Sequence, residues 1–71
     1  MLAEPLRVGV VGVGYLGRFH ALIYSRMADV DLIGVADTNL SRASEVASEA
    51  GCPVVKDPGD LFGQVDAVSI V

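Results

Sequence analysis

The sequence predicts an α/β fold in which strands and helices alternate, β-α-β-α-β-α-β, around a parallel sheet in three layers. Three observations predict it. Short valine-rich runs recur, with stretches of helical period between them. Three glycines, Gly12, Gly14 and Gly17, cluster where the first apolar run gives way to the first helical stretch. An acid, Asp37, then follows the second apolar run.

Each element has its own signal. Residues 6–11, LRVGVV, read as a strand buried on both faces. Over 15–28 the period changes, and Leu16, Phe19, Ile23 and Met27 recur every three or four residues, the stripe of an amphipathic helix. Residues 31–36, DLIGVA, give a second strand. Asp37, Thr38 and Asn39 then offer three N-cap residues in a row. The second helix carries Leu40, Ala43, Val46 or Ala47, and Ala50 on one side, and Gly51 stands where a C′ residue belongs. Pro53 stops that helix, and PVV at 53–55 predicts a short edge strand. Asp57 as N-cap with Pro58 in the first helical position predicts a short helix over about 58–64. DAVSIV at 66–71 closes the series as another buried strand. The expected strand order is 3-2-1-4, with the last strand at an edge.

Composition narrows the function classes. The chain has 71 residues, of which 52% are hydrophobic, and its mean hydropathy is +0.53. That is rich in apolar residues for a small free-standing domain, and it suggests surfaces meant to be covered. A net charge of −4 with five scattered basic residues argues against nucleic-acid and membrane surfaces alike. One cysteine, Cys52, and one histidine, His20, make neither a disulfide nor a structural zinc site. The glycine-broken run Val8–Leu16 is too short to span a bilayer. The opening MLAEPLR carries an acid and a proline where a secretory leader would carry positive charge. A soluble, cytoplasmic protein is expected.

A lone G-x-G-x-x-G is weak, but here it follows a strand, opens a helix and sits in a βαβ unit, the context the motif requires. Gly12 would allow the tight turn, Gly14 the close approach of a pyrophosphate, and Gly17 the packing of helix on strand. N–H groups near Tyr15 and Leu16, together with the helix dipole, would form an anion site. Asp37 lies at the spacing of the acid that receives ribose hydroxyls, with capping of the second helix as its alternative role. Its carboxylate would accept from a 2′-OH and repel a 2′-phosphate, favouring NAD over NADP. Arg42 is a counter-signal for NADP, though a solvent-facing pairing with Glu45 or Glu49 is the plainer expectation. His20, on the face of Ile23 and away from the helix N-terminus, reads as a packed or hydrogen-bonded histidine. Tyr15 stands at the mouth of the site.

The runs RVGVVGVGYLGRFHA, VDLIGVADTNLSRASEVASEAG and DLFGQVDAVSIV resemble the N-terminal part of the Gfo/Idh/MocA family, relatives of glucose-fructose oxidoreductase and inositol 2-dehydrogenase. The resemblance runs from Arg7 to Val71. It implies a Rossmann-type domain and an NAD(P)-dependent oxidoreductase moving a hydride to or from a sugar, polyol or related cyclic substrate. Position by position, the family's cofactor residues fall on Gly12, Gly14, Tyr15, Leu16, Gly17 and Asp37. Its catalytic lysine belongs to a Glu-Lys-Pro motif beyond the fourth strand, and Lys56, the only lysine here, does not match it. No catalytic residue is assigned.

Residues 1–71 are accordingly expected to be the N-terminal part of a dinucleotide-binding domain, since strand-like sequence runs to the last residue. On that expectation the substrate domain is absent and the chain alone is inactive. The 67–71 edge and uncovered apolar faces predict a homo-oligomer, most simply a two-fold dimer. The other reading of the same glycine loop is a non-catalytic dinucleotide-sensing module.

Overall fold

The computed structural model describes residues 4–71. Met1, Leu2 and Ala3, the start of the stretch read above against a secretory leader, lie outside the described residues. The elements run β1 (Leu6–Val11), α1 (Tyr15–Arg26), β2 (Val30–Ala36), α2 (Leu40–Ala50), a 3-10 turn (Pro58–Leu61) and β3 (Ala67–Ile70). The sheet is parallel, with order β2-β1-β3. β1 is therefore central and β3 lies at an edge.

The expected strand at 53–55 shrinks to one parallel bridge, Val35 with Val54, on the outer side of β2. This is the side the expected order reserves for it. Pro53 has no N–H to give, so the link rests on Val55 N–H to Val35 O at 2.8 Å and Val35 N–H to Pro53 O at 3.2 Å. The chain then turns away under the Asp57 cap, whose side chain accepts from Gly59 N–H. The helix expected over 58–64 is a single 3-10 turn. Pro58, Gly59 and Gly63 resist a longer one.

α2 keeps most of its pattern: Ala43, Val46 and Ala47 are buried and Ala50 half-buried, but Leu40, in the first turn, is 51% exposed; Gly51 caps the helix at φ 73°, in the left-handed region that glycine enters at little cost. Asn39, not Asp37, is the N-cap, accepting from Arg42 N–H at 3.0 Å.

α1 corrects its own stripe. Its buried residues are Gly17 and Ala21, whereas Leu16, Phe19, Ile23 and Met27 are 41–59% exposed. Small residues let the helix lie close to the sheet, and the large apolar residues are turned outward. The core between helices and sheet is Val10, Val13, Ala21, Val35, Ala43, Val46 and Ala47. Each fully buried valine contributes roughly 1.5–3 kcal/mol.

The second face of the sheet is held differently. The β1–β2 register shifts between Val8 and Gly9, which sets Gly9 opposite Gly34. Leu61, fully buried, occupies the space over Gly9, where a Cβ would lie 2.9 Å from Leu61 Cδ1, whereas a Cβ on Gly34 would first meet Val55 Cγ2 at 2.7 Å and the Pro53 carbonyl oxygen at 3.2 Å, with Leu61 Cδ2 at 3.6 Å.

Candidate dinucleotide site

The site forms where β1 and β2 end side by side. Gly12 leaves β1 with φ 88°, which an L side chain rarely adopts, and a Cβ there would stand 2.5 Å from the carbonyl oxygen of Val71. Its N–H donates to Ala36 O at 2.8 Å. Gly17 is fixed by a different constraint, because a Cβ on it would run into the Gly12 carbonyl. Val71 backs this loop: its N–H donates to Val11 O at 3.0 Å, and its Cβ lies 3.8 Å from a Gly17 Cβ position.

Gly14 is unlike either. It is the N-cap of α1 with an ordinary negative φ, and the nearest heavy atom to a Cβ there is Arg42 Nη1 at 3.9 Å. What its missing side chain leaves is open space above a helix end. No side chain caps that end, and no acid lies in the first turn. An uncapped helix N-terminus presents N–H groups and the positive end of the dipole to an anion. Tyr15 and Leu16, the first helical residues, are 78% and 59% exposed, and Tyr15 meets Phe19 edge to face at 5.2 Å.

Asp37 stands beside the loop, half-buried. Its Oδ2 accepts from Val13 N–H at 2.8 Å and its Oδ1 from Asn39 N–H at 2.8 Å. The Asn39 amide first, then the Val13 amide, hold this carboxyl below the usual carboxylate range, so it is ionised at neutral pH. A groove of about 380 Å³ opens between Gly14, Tyr15 and Arg18 on one side and Asn39, Ser41 and Arg42 on the other. A second cavity, about 290 Å³, joins Gly12 and Asp37 to Thr38 and Lys56. The six residues expected to hold a dinucleotide are thus brought to one end of the sheet.

Glu49 pairs with Arg18, Nη2 to Oε2 at 2.5 Å, and not with Arg42. Arg42 instead faces the groove, and its charge helps keep Asp37 ionised. His20 is hydrogen-bonded, Nδ1 to Ser69 Oγ at 2.9 Å. Burial pushes the half-buried Cys52 thiol up, away from a reactive thiolate. Asn39 and Lys56 also line these cavities, with no motif in the sequence to mark either as a site residue. Lys56 follows the bridge beside β2, and that adjacency was its only signal. Among the described residues no helix is long and apolar enough to cross a membrane, and no cluster of His, Cys, Asp or Glu is placed to hold a metal.

A family model described as an oxidoreductase family with an NAD-binding Rossmann fold, GFO_IDH_MocA, matches residues 6–71. UDP-N-acetylglucosamine 3-dehydrogenase of Acidithiobacillus ferrooxidans is 50% identical over 66 residues, 93% of this chain and 20% of that protein. Its solved structure superposes with a TM-score of 0.87 at 49% identity, covering 100% of this chain and 22% of that one. Inositol 2-dehydrogenase 4 of Saccharopolyspora erythraea is 38% identical over 73 residues, 100% of this chain and 22% of that protein. GenD2 from gentamicin A biosynthesis, solved in complex with NAD, gives a TM-score of 0.89 at 27% identity, covering 100% of this chain and 21% of that one. The chain spans about a fifth of the length of these relatives.

Proposed function

Because the chain belongs to the Gfo/Idh/MocA oxidoreductase family, with its NAD-binding Rossmann fold, we propose that it is the dinucleotide-holding portion of a dehydrogenase. The observation that carries this reading is the open space at Gly14 over an uncapped, acid-free helix N-terminus, with an ionised carboxylate alongside. These residues fit the cofactor. The pyrophosphate would lie on the Gly12–Gly17 loop against the first N–H groups of α1, Tyr15 and Leu16. The ribose hydroxyls would donate to Asp37. When bound, the nicotinamide accepts or gives the hydride. The chain's own part is to bind and orient, and no residue in it is assigned to proton transfer. By likeness to relatives named as dehydrogenases of a nucleotide sugar and of inositol, the substrate of the longer protein would be a sugar, a polyol or a related cyclic compound. A cytoplasmic, reducing setting suits the free thiol of Cys52.

NAD is favoured over NADP because Asp37 accepts hydrogen bonds and repels a 2′-phosphate. Calorimetric titration of the chain with NADH and NADPH should show NADH binding tighter by about tenfold or more, equivalent to roughly 1.4 kcal/mol. Tighter NADPH binding would overturn the role of Asp37 and promote Arg42 and Lys56 as phosphate partners.

A further inference from the structure

Asp37 already has two backbone amides in hand before any ligand is considered. One of them, Asn39 N–H, is local. The other, Val13 N–H, belongs to the opposite βα loop, 24 residues away in sequence. Val13 sits between Gly12 and Gly14, and it is 1% exposed. A buried amide that loses its acceptor is costly, and a carboxylate is a stronger acceptor than a neutral group. The charged groups facing Asp37 from other elements are Arg42 of α2 and Lys56 beyond the Val54 bridge. Neither forms an ion pair with it; among the described residues the ion pairs are Arg7 with Asp66 and Arg18 with Glu49.

We infer that Asp37 is a positioning residue for the glycine loop: its carboxylate holds Val13 N–H and so sets the loop in its phosphate-receiving shape before the dinucleotide arrives. The inference rests on the reading of that loop as a phosphate cradle. Clasping and ribose binding are compatible on one group. A carboxylate offers about four lone-pair directions; two are taken by amides, and a third meets only the long 3.5 Å contact of the Thr38 hydroxyl, which a ribose hydroxyl would replace. The carboxylate therefore does more than select the ribose. Replacing it to admit a 2′-phosphate would also loosen the loop that receives the pyrophosphate.

The test begins with the ligand-free 71-residue chain, labelled for NMR. A scalar coupling through the hydrogen bond, from the Val13 nitrogen to Asp37 Cγ, is expected, and its absence in a folded sample overturns the inference. In Asp37→Ala, exchange of the Val13 amide should accelerate about tenfold or more relative to that of Val10, while Asp37→Asn, which keeps an acceptor oxygen, should restore part of the protection. An unchanged Val13-to-Val10 ratio in Asp37→Ala also overturns it. Inorganic pyrophosphate supplies the functional readout because it carries no ribose. Removing a negative charge alone would tighten its binding, whereas loss of the clasp should weaken it severalfold. Equal or tighter pyrophosphate binding by Asp37→Ala counts against the positioning role. If the wild-type chain shows the coupling but binds neither pyrophosphate nor NAD, the clasp stands and the phosphate-cradle reading fails instead.

Discussion

Replacing Gly17 by alanine separates a glycine that the fold needs from one that a ligand needs. The added Cβ would lie 2.7 Å from the carbonyl carbon of Gly12 and nearer still to its oxygen, whereas ordinary contact begins at 3.4 Å. Both sides of the clash are backbone, so the first turn of α1 must withdraw by at least the difference. That retreat loosens Ala21 and Val13 in the core. Overpacking of this kind costs about 1–3 kcal/mol, and a backbone clash belongs at the upper end. A domain of this length holds roughly 4–10 kcal/mol in all, so the variant should lose a large share of its stability. In thermal unfolding followed by circular dichroism, about 3 kcal/mol corresponds to a fall in Tm of roughly 12 °C or more. Gly14→Val is the control: its Cβ meets nothing closer than 3.9 Å. It should melt near the wild-type temperature and yet fail to bind NADH. A Gly17→Ala chain as stable as wild type, or a Gly14→Val chain with wild-type affinity, would refute the assignment of these two glycines.

Leu61→Ala should cost about 2–4 kcal/mol in urea unfolding, because Leu61 is fully buried and fills the space over Gly9. In a double-mutant cycle, Gly9→Ala should be tolerated better in the Leu61→Ala background than alone, and strict additivity would count against that contact. Stability should hold at neutral pH and decline as pH falls. Asp37, Asp66 and Glu49 all have carboxyls held below their ordinary values of 3.8, 3.8 and 4.5. Groups depressed in the folded state stabilise it above their unfolded values, and that stabilisation is lost as they protonate on acidification. Melting temperatures between pH 7 and 3 test this, and Asp66→Asn, which removes a partner of Arg7, should flatten the acid slope. Sedimentation equilibrium should show self-association at micromolar concentration, and Ile23→Glu on the exposed face of α1 should reverse it; a monomeric wild-type chain removes this expectation.

The glycine turn, the left-handed Gly51 and the start of α2, to within the run Asp37-Thr38-Asn39, were legible in the sequence because each is a local device. A turn needing positive φ and a helix end needing a cap leave their mark within a few residues. What was not legible depended on distant partners. Gly9 and Gly34 are single glycines inside strand-like runs, and their meaning appears only when Leu61 packs over Gly9 and Pro53 and Val55 close on Gly34. The stripe of α1 has the right period but the wrong side, since Gly17 and Ala21 win the sheet by being small. Arg42 had an acid within helical reach in Glu45 and Glu49, yet Arg18 took Glu49 across the helix pair.

The wall behind the glycine loop has a kinetic consequence. Leu6 meets Val30 in the β1–β2 ladder, whereas Val8 must wait for Ala67 in the β1–β3 ladder. The second closure encloses more than twice as much chain, and each doubling adds about 0.6 kcal/mol of lost chain entropy. Its reward is also smaller, with four residue pairs in place of six. β3 is therefore expected to dock last and to leave first. Val71, at its end, is the residue that lies against Gly12 and Gly17. A chain with β3 still adrift would carry every glycine and the acid, and it would have no back to its cradle. Dinucleotide affinity should thus report the docking of β3, and a bound dinucleotide should slow its departure.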